Sequence, residues 1–266
     1  MYINHTLIFT REKRAKKSGQ TVIIVHGIAE HSGRYEEMMS YFETQDISTF
    51  AFDLRGHGQS AGKRGKLSNF KLILEDIHGL VTHVKKTYPE DQVFLLGHSL
   101  GGLITHMYAV TYQDISGVIT SGAPTYFLKS VLPLRILGSK LLSWYAVKTN
   151  FADDKLSRIP SVEKAYLNDP LNLKKMYGSL IGQMMVSGVR YLKKHVSKHV
   201  VPSLILHGED DKIVPKQMSQ TWFDTIPSED KTLKIYPKAY HEIFNDLDKE
   251  ICLKDVADWL HKRKRS

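Results

Sequence analysis

A serine between glycines, Gly97-His98-Ser99-Leu100-Gly101-Gly102, follows the apolar run Val93-Phe94-Leu95-Leu96. Leu100, Leu103, Ile104 and Met107 then recur at helical spacing. Strand, glycine-flanked serine and helix together make the setting that a G-x-S-x-G nucleophile elbow requires. There Oγ projects from a sharp turn, and the glycines keep side chains out of its way. The chemistry that suits such a serine is attack on a carbonyl carbon. The backbone N–H of Leu100 falls at a helix N-terminus, where unpaired amides and the helix dipole favour an oxyanion. A serine that merely caps a helix is the plainer alternative. The buried strand before it and the glycines on both sides favour the catalytic one.

A serine hydroxyl is a poor nucleophile until a neighbouring base takes its proton, and that base needs an orienting acid. In α/β-hydrolases the chain order is serine, acid, histidine. Two later stretches offer the partners, each directly after a predicted strand. Leu206-His207-Gly208-Glu209-Asp210-Asp211 carries three carboxylates, and Tyr236-Pro237-Lys238-Ala239-Tyr240-His241-Glu242 carries one histidine. Of the 13 histidines, His26, His57 and His98 lie beside glycines in tight loops, and His207 closes a strand. His195 and His199 fall at the end of a helical region, and His261 in a basic tail. His241, on a loop after the last strand and downstream of the other two positions, is the expected base. Asp211 is the expected acid because it lies on the loop leaving its strand, within reach of the imidazole Nδ1–H; Asp210 is its main rival, and Glu209 is less favoured. Asp53 also ends a strand but precedes the serine, so its expected task is to brace its own glycine-rich loop.

The elements that must hold these residues alternate. Leu7-Ile8-Phe9 reads as a short edge strand, followed by a turn through the basic run to Ser18-Gly19. Val22-Ile23-Ile24-Val25 is β-branched without alternation, as a strand covered on both faces should be. Tyr35, Met38, Met39 and Phe42 mark a helix, Thr49 to Phe52 a strand, and Phe70 to Val84 the apolar stripe of a long helix. Ile115 to Ile119 predicts the strand after the elbow helix. From Tyr126 to about Val200 the alternation stops, and the pattern is helical with breaks at Pro133, Gly138, Pro160, Pro170, Gly178 and Gly188. It resumes with Ser203 to Leu206, a helix through Met218, Trp222, Phe223 and Ile226, the strand Thr232 to Tyr236, and a last helix with Leu253, Val256, Ala257 and Leu260. The expected architecture is α/β, a mostly parallel doubly wound sheet formed by residues 1–125 and 201–266. Residues 126–200 are expected to insert between two strands as a helical lid over their carboxyl ends, where such sheets bind ligands.

Composition is that of an ordinary globular chain, 42% hydrophobic and 24% charged over 266 residues. The single cysteine, Cys252, excludes an internal disulfide framework and a cysteine-rich metal site, and it fits a reducing compartment. The N-terminus lacks a secretory pattern and no apolar run reaches the length of a membrane span, which predicts a cytoplasmic protein. Net charge is +9, with conspicuous basic runs at 11–17 and 261–265. Such runs are usually solvated turns and tails. Attraction to anionic lipid surfaces is the functional alternative, and nucleic acid is not expected as a partner.

With these residues assembled, the chain resembles the monoacylglycerol lipase and lysophospholipase branch of the serine α/β-hydrolases over nearly its whole length. The stretches that carry the resemblance are His-Gly-Ile-Ala-Glu-His-Ser-Gly-Arg-Tyr (26–35), Phe-Asp-Leu-Arg-Gly-His-Gly-Gln-Ser (52–60) and Gly-His-Ser-Leu-Gly-Gly (97–102). Val162 to Leu171, with its Asn168-Asp169-Pro170-Leu171, and Asp230 to Tyr236 are also similar to family segments. The segment before Val22 is short for that branch. The resemblance implies Ser99, Asp211 and His241 as the triad, and the N–H groups of Ile28 and Leu100 as oxyanion donors. It also places Glu30 and Arg34 near the glycerol end of the pocket. It implies hydrolysis of a small lipid ester through an acyl-serine, with no metal or organic cofactor. The dense apolar stretch from Phe127 to Tyr145, interrupted by Lys129, Arg135 and Lys140, with Met184, Met185 and Val186, suits both an acyl-chain tunnel and peripheral membrane contact through the lid. The alternatives are a lysophospholipase or general carboxylesterase, an aminopeptidase using Asp153, Asp154, Glu163 or Asp169 to hold an amine, and a non-catalytic binding module of the same fold.

Overall fold

The computed structural model describes residues 1–138, 141–149 and 155–265. Lys140, Asp153 and Asp154, named above, lie outside the described residues. Seven strands form the central sheet: β1 (Thr10–Lys13), β2 (Gln20–Val25), β3 (Ser48–Phe52), β4 (Gln92–His98), β5 (Gly117–Ser121), β6 (Ser203–Gly208) and β7 (Lys231–Tyr236). Their spatial order is β7-β6-β5-β4-β2-β3-β1. All neighbours run parallel except β1, which pairs antiparallel with β3.

Register explains the unbroken apolar runs. Ile23 stands between Phe50 and Leu95, and Ile24 between Ala51 and Leu96. The first row packs into one core with α2 (Lys71–Thr87), α3 (Leu100–Thr111) and Trp222 of α6 (Gln217–Thr225). The second row packs into the other core with α1 (Glu36–Thr44) and α7 (Lys249–His261). Both faces are therefore covered, and alternation has no reason to appear in the sequence.

Residues 126–200 leave β5 and return to β6, and the described residues among them add no strand to this sheet. They contain α4 (Pro160–Asn168) and a continuous helix, α5, over 178–194. Five-residue turns widen α5 across Gly182–Gly188. A short antiparallel pair, Ala146–Lys148 with Tyr177–Lys175, was not expected from the helical pattern. The segment is tied to the core where Leu173 N–H donates to Ala29 O at 2.9 Å and Tyr177 N–H to Gly65 O at 3.0 Å.

Two further expectations need correction. The edge strand of the sheet is Thr10–Lys13, inside the run assigned to a turn. Thr6–Leu7 instead pairs locally with Tyr2–Ile3. An edge strand facing solvent tolerates Arg11, Glu12 and Lys13, so hydrophobicity does not mark it. The strand after the elbow helix begins two residues later than predicted, at Gly117. No helix among the described residues is long and apolar enough to cross a membrane.

Strand order reverses beside β2: the chain steps outward from β2 to β3, then crosses back to β4 on the other side of β2. Crevices at such a reversal lie beyond the carboxyl ends of the strands. The loops that leave β2 and β4 there are the 26–35 segment and the Ser99 turn.

Candidate active site

Ser99 adopts φ 52° and ψ −118°, a conformation that non-glycine residues rarely hold. Strain of this kind costs about 1–3 kcal/mol and persists only where the surroundings over-determine it. Here they do. Ser99 N–H donates to Ser121 O at 2.7 Å on β5, and Ser99 O accepts from Leu103 N–H at 3.2 Å in α3. Gly101 lets the helix approach β2 so closely that a Cβ there would lie 2.0 Å from Val25 O.

His241 and Asp211 meet at this rim. Their loops leave β7 and β6, which are adjacent and parallel, so the two loops emerge side by side. His241 Nδ1–H donates to Asp211 Oδ2 at 2.6 Å. Asp211 Oδ1 accepts from the Ile213 and Val214 amides at 2.8 and 2.9 Å. Burial alone would raise the Asp211 carboxyl, but His241 and His207 hold it well below the usual carboxylate range. Burial likewise opposes charge on His241, and Asp211 overcomes it, so the imidazole sits above its ordinary 6.5. Ser99 and His241 line the same cavity. No hydrogen bond of ordinary geometry joins Ser99 Oγ to His241, a common state of catalytic serines before substrate tightens the contact. Asp210 and Glu209 are exposed, with Glu209 paired to Lys216 at 2.9 Å.

The 26–35 loop forms the opposite wall. Ile28 lines the cavity, and neither its N–H nor that of Leu100 is claimed by a hydrogen bond within the protein. Gly27 N–H, in contrast, is spent on Glu30 Oε1 at 2.6 Å. Glu30 also accepts from Tyr35 Oη at 2.7 Å and from Arg34 at 2.6 Å. Arg34 grips Glu242 through two parallel bonds of 2.7 Å. Glu242 Oε2 takes a third bond, from Asn245 at 3.0 Å. Burial, the largest influence, pushes the Glu30 carboxyl up, but Arg34, His98, His26 and the Tyr35 hydroxyl together bring the group down to about 2. Two carboxylates thus share one guanidinium in a buried cluster of net charge −1. Glu30 and Glu242 line the cavity, and Arg34 stands behind them, stacked 5.0 Å from the Tyr166 ring. Glu242 was missed in the sequence, where its only signal is adjacency to His241.

The remaining histidines divide as their surroundings dictate. His26 turns to local backbone, Nδ1–H to Gly27 O at 2.7 Å and Nε2 accepting from Leu54 N–H at 2.9 Å. His98 bonds Ser121 Oγ at 3.2 Å, and its ring centre lies 4.7 Å from that of His241. Burial first, and His241 second, press His98 down to about 4. Asp53 braces its loop by accepting from Ser32 N–H and Oγ–H and from Gln59 N–H at 2.6 to 2.7 Å.

Beyond these polar groups the cavity, about 490 Å³, is apolar. Residues 126–200 supply most of that wall through Leu128, Val131, Leu134, Leu142, Met176, Ile181 and Met185. Leu132, Ile136, Leu141 and Trp144 of the same stretch are exposed, the last three by 72, 64 and 71%. The two described acids of this segment are engaged elsewhere. Asp169 accepts from His31 at 2.8 Å and from Leu171 N–H, and Glu163 accepts from the Lys155 and Leu156 amides. Among the described residues, no group of three or more acidic, histidine or cysteine side chains is arranged to hold a metal.

Comparison with known proteins places this geometry. A family model described as "Serine aminopeptidase, S33" matches residues 16–248. A monoacylglycerol lipase of Mycolicibacterium smegmatis is 32% identical over 90% of this chain and 87% of its own. The monoglyceride lipase of Rattus norvegicus is 32% identical over 91% of this chain and 82% of its own. Among solved structures, the monoacylglycerol lipase of Paleococcus ferrophilus superposes with a TM-score of 0.84 at 29% identity, covering 96% of this chain and 99% of that one.

Proposed function

The chain belongs to the monoacylglycerol lipase family of serine α/β-hydrolases, and from that premise we propose that it hydrolyses monoacylglycerols to fatty acid and glycerol, with Ser99, His241 and Asp211 as its triad. The observation that carries this reading is a strained, glycine-flanked serine opening into an apolar cavity beside a histidine already bonded to a buried carboxylate.

Ser99 Oγ attacks the ester carbonyl as His241 Nε2 takes its proton. The Ile28 and Leu100 amides bind the oxyanion, each contributing about 3 kcal/mol to lowering the barrier. His241, its imidazolium favoured by Asp211, protonates the departing glycerol oxygen. A water then attacks the acyl-serine with His241 again acting as base, releasing the fatty acid and restoring Ser99. These steps use only side chains, backbone amides and water.

The polar cluster beside Ser99 favours a neutral alcohol. Glu30 and Glu242 present carboxylate oxygens to the cavity with one excess negative charge, so a phosphate-bearing leaving group would be repelled. An ammonium group gains little there, because most of the acceptor sites of both carboxylates are already taken by Arg34, Gly27, Tyr35 and Asn245. Glycerol hydroxyls can use what remains.

Residues 126–200 are read as a lid that meets a lipid surface. This segment holds 13 Lys and Arg against four Asp and Glu, a net of +9, while the rest of the chain holds 24 of each sign. The terminal basic runs, which suggested otherwise, are offset by acids elsewhere. Exposed Ile136, Leu141 and Trp144 on the segment that carries the chain's net positive charge suit an anionic membrane interface. Sedimentation with phosphatidylglycerol vesicles should capture the protein at low salt and release it as salt rises; equal capture by phosphatidylcholine vesicles would remove the electrostatic part of the reading.

The deciding experiment compares hydrolysis of a monoacylglycerol, a lysophospholipid, a triacylglycerol and an aminoacyl anilide, alongside fluorophosphonate labelling. Fastest turnover of the monoacylglycerol, with activity and label both lost in Ser99→Ala, is expected. Preference for the lysophospholipid or anilide would overturn the substrate, and a folded protein that refuses the label would overturn the enzyme.

A further inference from the structure

Asp211 has to be held still on a loop. Its Oδ1 bonds to Ile213 and Val214, which belong to the same loop and would move with it. Oδ2, the oxygen that receives His241, has a second neighbour. His207 Nε2, on β6 four residues earlier, lies 3.1 Å from Asp211 Oδ2 and 2.9 Å from Val214 O. A carbonyl oxygen can only accept, so the tautomer assigned to His207 carries its hydrogen on Nε2. On its other side, His207 Nδ1 is 2.7 Å from Ser219 Oγ in α6. The side chains of His207 and Asp211 are both wholly buried. One imidazole therefore links strand β6 and helix α6 to the acid and to Val214, three residues further along its loop.

We propose that His207 is a positioning residue of the hydrolytic reaction: its Nε2–H, shared between Val214 O and Asp211 Oδ2, holds the acid and its loop against β6 and takes up part of the charge of the oxygen that orients His241. The inference rests on the triad reading given above. Nothing in the triad motif requires this residue, since acid, base and nucleophile are complete without it. Its role comes from where the carboxylate sits. A donor facing Oδ2 draws charge away from His241, so its loss leaves a carboxylate that favours the imidazolium more strongly. The groups that face His241 are Asp211, His98 from the end of β4, Glu30 from the loop after β2, and Glu242 beside it, with Arg34 behind the two glutamates. Of these, only Asp211 is touched by His207.

The test compares His207→Phe, which keeps a ring but no N–H, with His207→Gln, which keeps a donor. Both are assayed on a soluble short-chain p-nitrophenyl ester across pH, with thermal melting to establish folding. In His207→Phe, kcat should fall tenfold or more with KM within twofold, and the acid limb of kcat/KM should move to higher pH. His207→Gln should recover most of kcat and return the limb toward its original position. A folded His207→Phe with unchanged kcat and limb overturns the proposal, as does equal impairment of both variants. Ser219→Ala, which leaves the imidazole unoriented without removing it, is the milder probe should His207→Phe not fold. A severalfold loss of kcat at constant KM supports the role, and an unchanged kcat overturns it. Ser99→Ala separates the two levels of the argument: activity surviving in it would sink the triad, while a dead Ser99→Ala with indifferent His207 variants would sink this inference alone.

Discussion

Asp210 and Asp211 are neighbours with unequal surroundings, and that inequality decides which can serve His241. The Asp211 side chain is wholly buried with both oxygens bonded, while Asp210 is exposed. Asp211→Asn should therefore lower kcat by on the order of 10³-fold or more, because an amide cannot hold the imidazole in the tautomer that accepts the serine proton. Asp210→Asn should leave kcat within twofold; steady-state kinetics of the two variants checks both, and the reverse ranking would exchange their roles. The acid limb follows from the same contact. His241 is raised above 6.5, and the reaction needs it neutral, so kcat/KM should decline as pH falls through a value above 6.5. In Asp211→Asn the limb should move to lower pH. Chain order and loop position made Ser99, Asp211 and His241 legible in the sequence, since each requirement is local to a strand end. Glu242 and His207 were not legible. Glu242 acquires its partner from Arg34, 208 residues earlier, and His207 reads as an ordinary strand residue until β6 and its loop are folded.

At the scale of elements, the elbow depends on how closely α3 can pack on β2. A Cβ on Gly101 would stand 2.0 Å from Val25 O and 2.7 Å from His26 O, both backbone atoms that cannot rotate away. Gly101→Ala should thus cost about 3 kcal/mol or more, at the upper end of overpacking, because the helix must withdraw from the strand. Denaturant unfolding measures that loss, and fluorophosphonate labelling of the residual folded protein should slow as Ser99 shifts relative to the proposed oxyanion donors. Strand β2 itself was legible because burial on both faces leaves an unbroken β-branched run. The edge strand β1 was not, since Thr-Arg-Glu-Lys is held by pairing to β3 and not by burial. The widened turns of α5 were equally hidden: inserting a residue into a helical turn changes backbone bonding while Met184, Met185 and Val186 still read as a helical apolar cluster.

For the molecule as a whole, the burial that shapes the site makes the fold sensitive to acid. His26, His57, His98, His106 and His199 are all buried, and burial is the largest influence lowering each. His57 falls to about 3, and His98 and His199 to about 4. His106 and His199 face each other at 3.0 Å with Trp222 Nε1–H donating to His106 Nδ1, an arrangement with no room for two imidazolium charges. A histidine lowered in the folded state binds its proton more readily when unfolded. Its contribution is complete above about pH 6.5 and is lost as pH falls toward the folded value. Each such group costs roughly 1 to 2 kcal/mol per pH unit inside that window. His241 works in the opposite sense, because its raised value favours the folded state at lower pH, but it is one group against five. Glu30, at about 2, adds in the same direction as the five below its ordinary 4.5, and Asp53, held low, does so below its ordinary 3.8. Against a total stability of about 5–15 kcal/mol, several such histidines titrating together exhaust the margin before pH 4. Calorimetry from pH 8 to 4.5 should show a nearly level melting temperature down to about 6.5 and a steep fall below it. A profile flat to pH 4.5 would mean that these histidines are not held neutral by the fold.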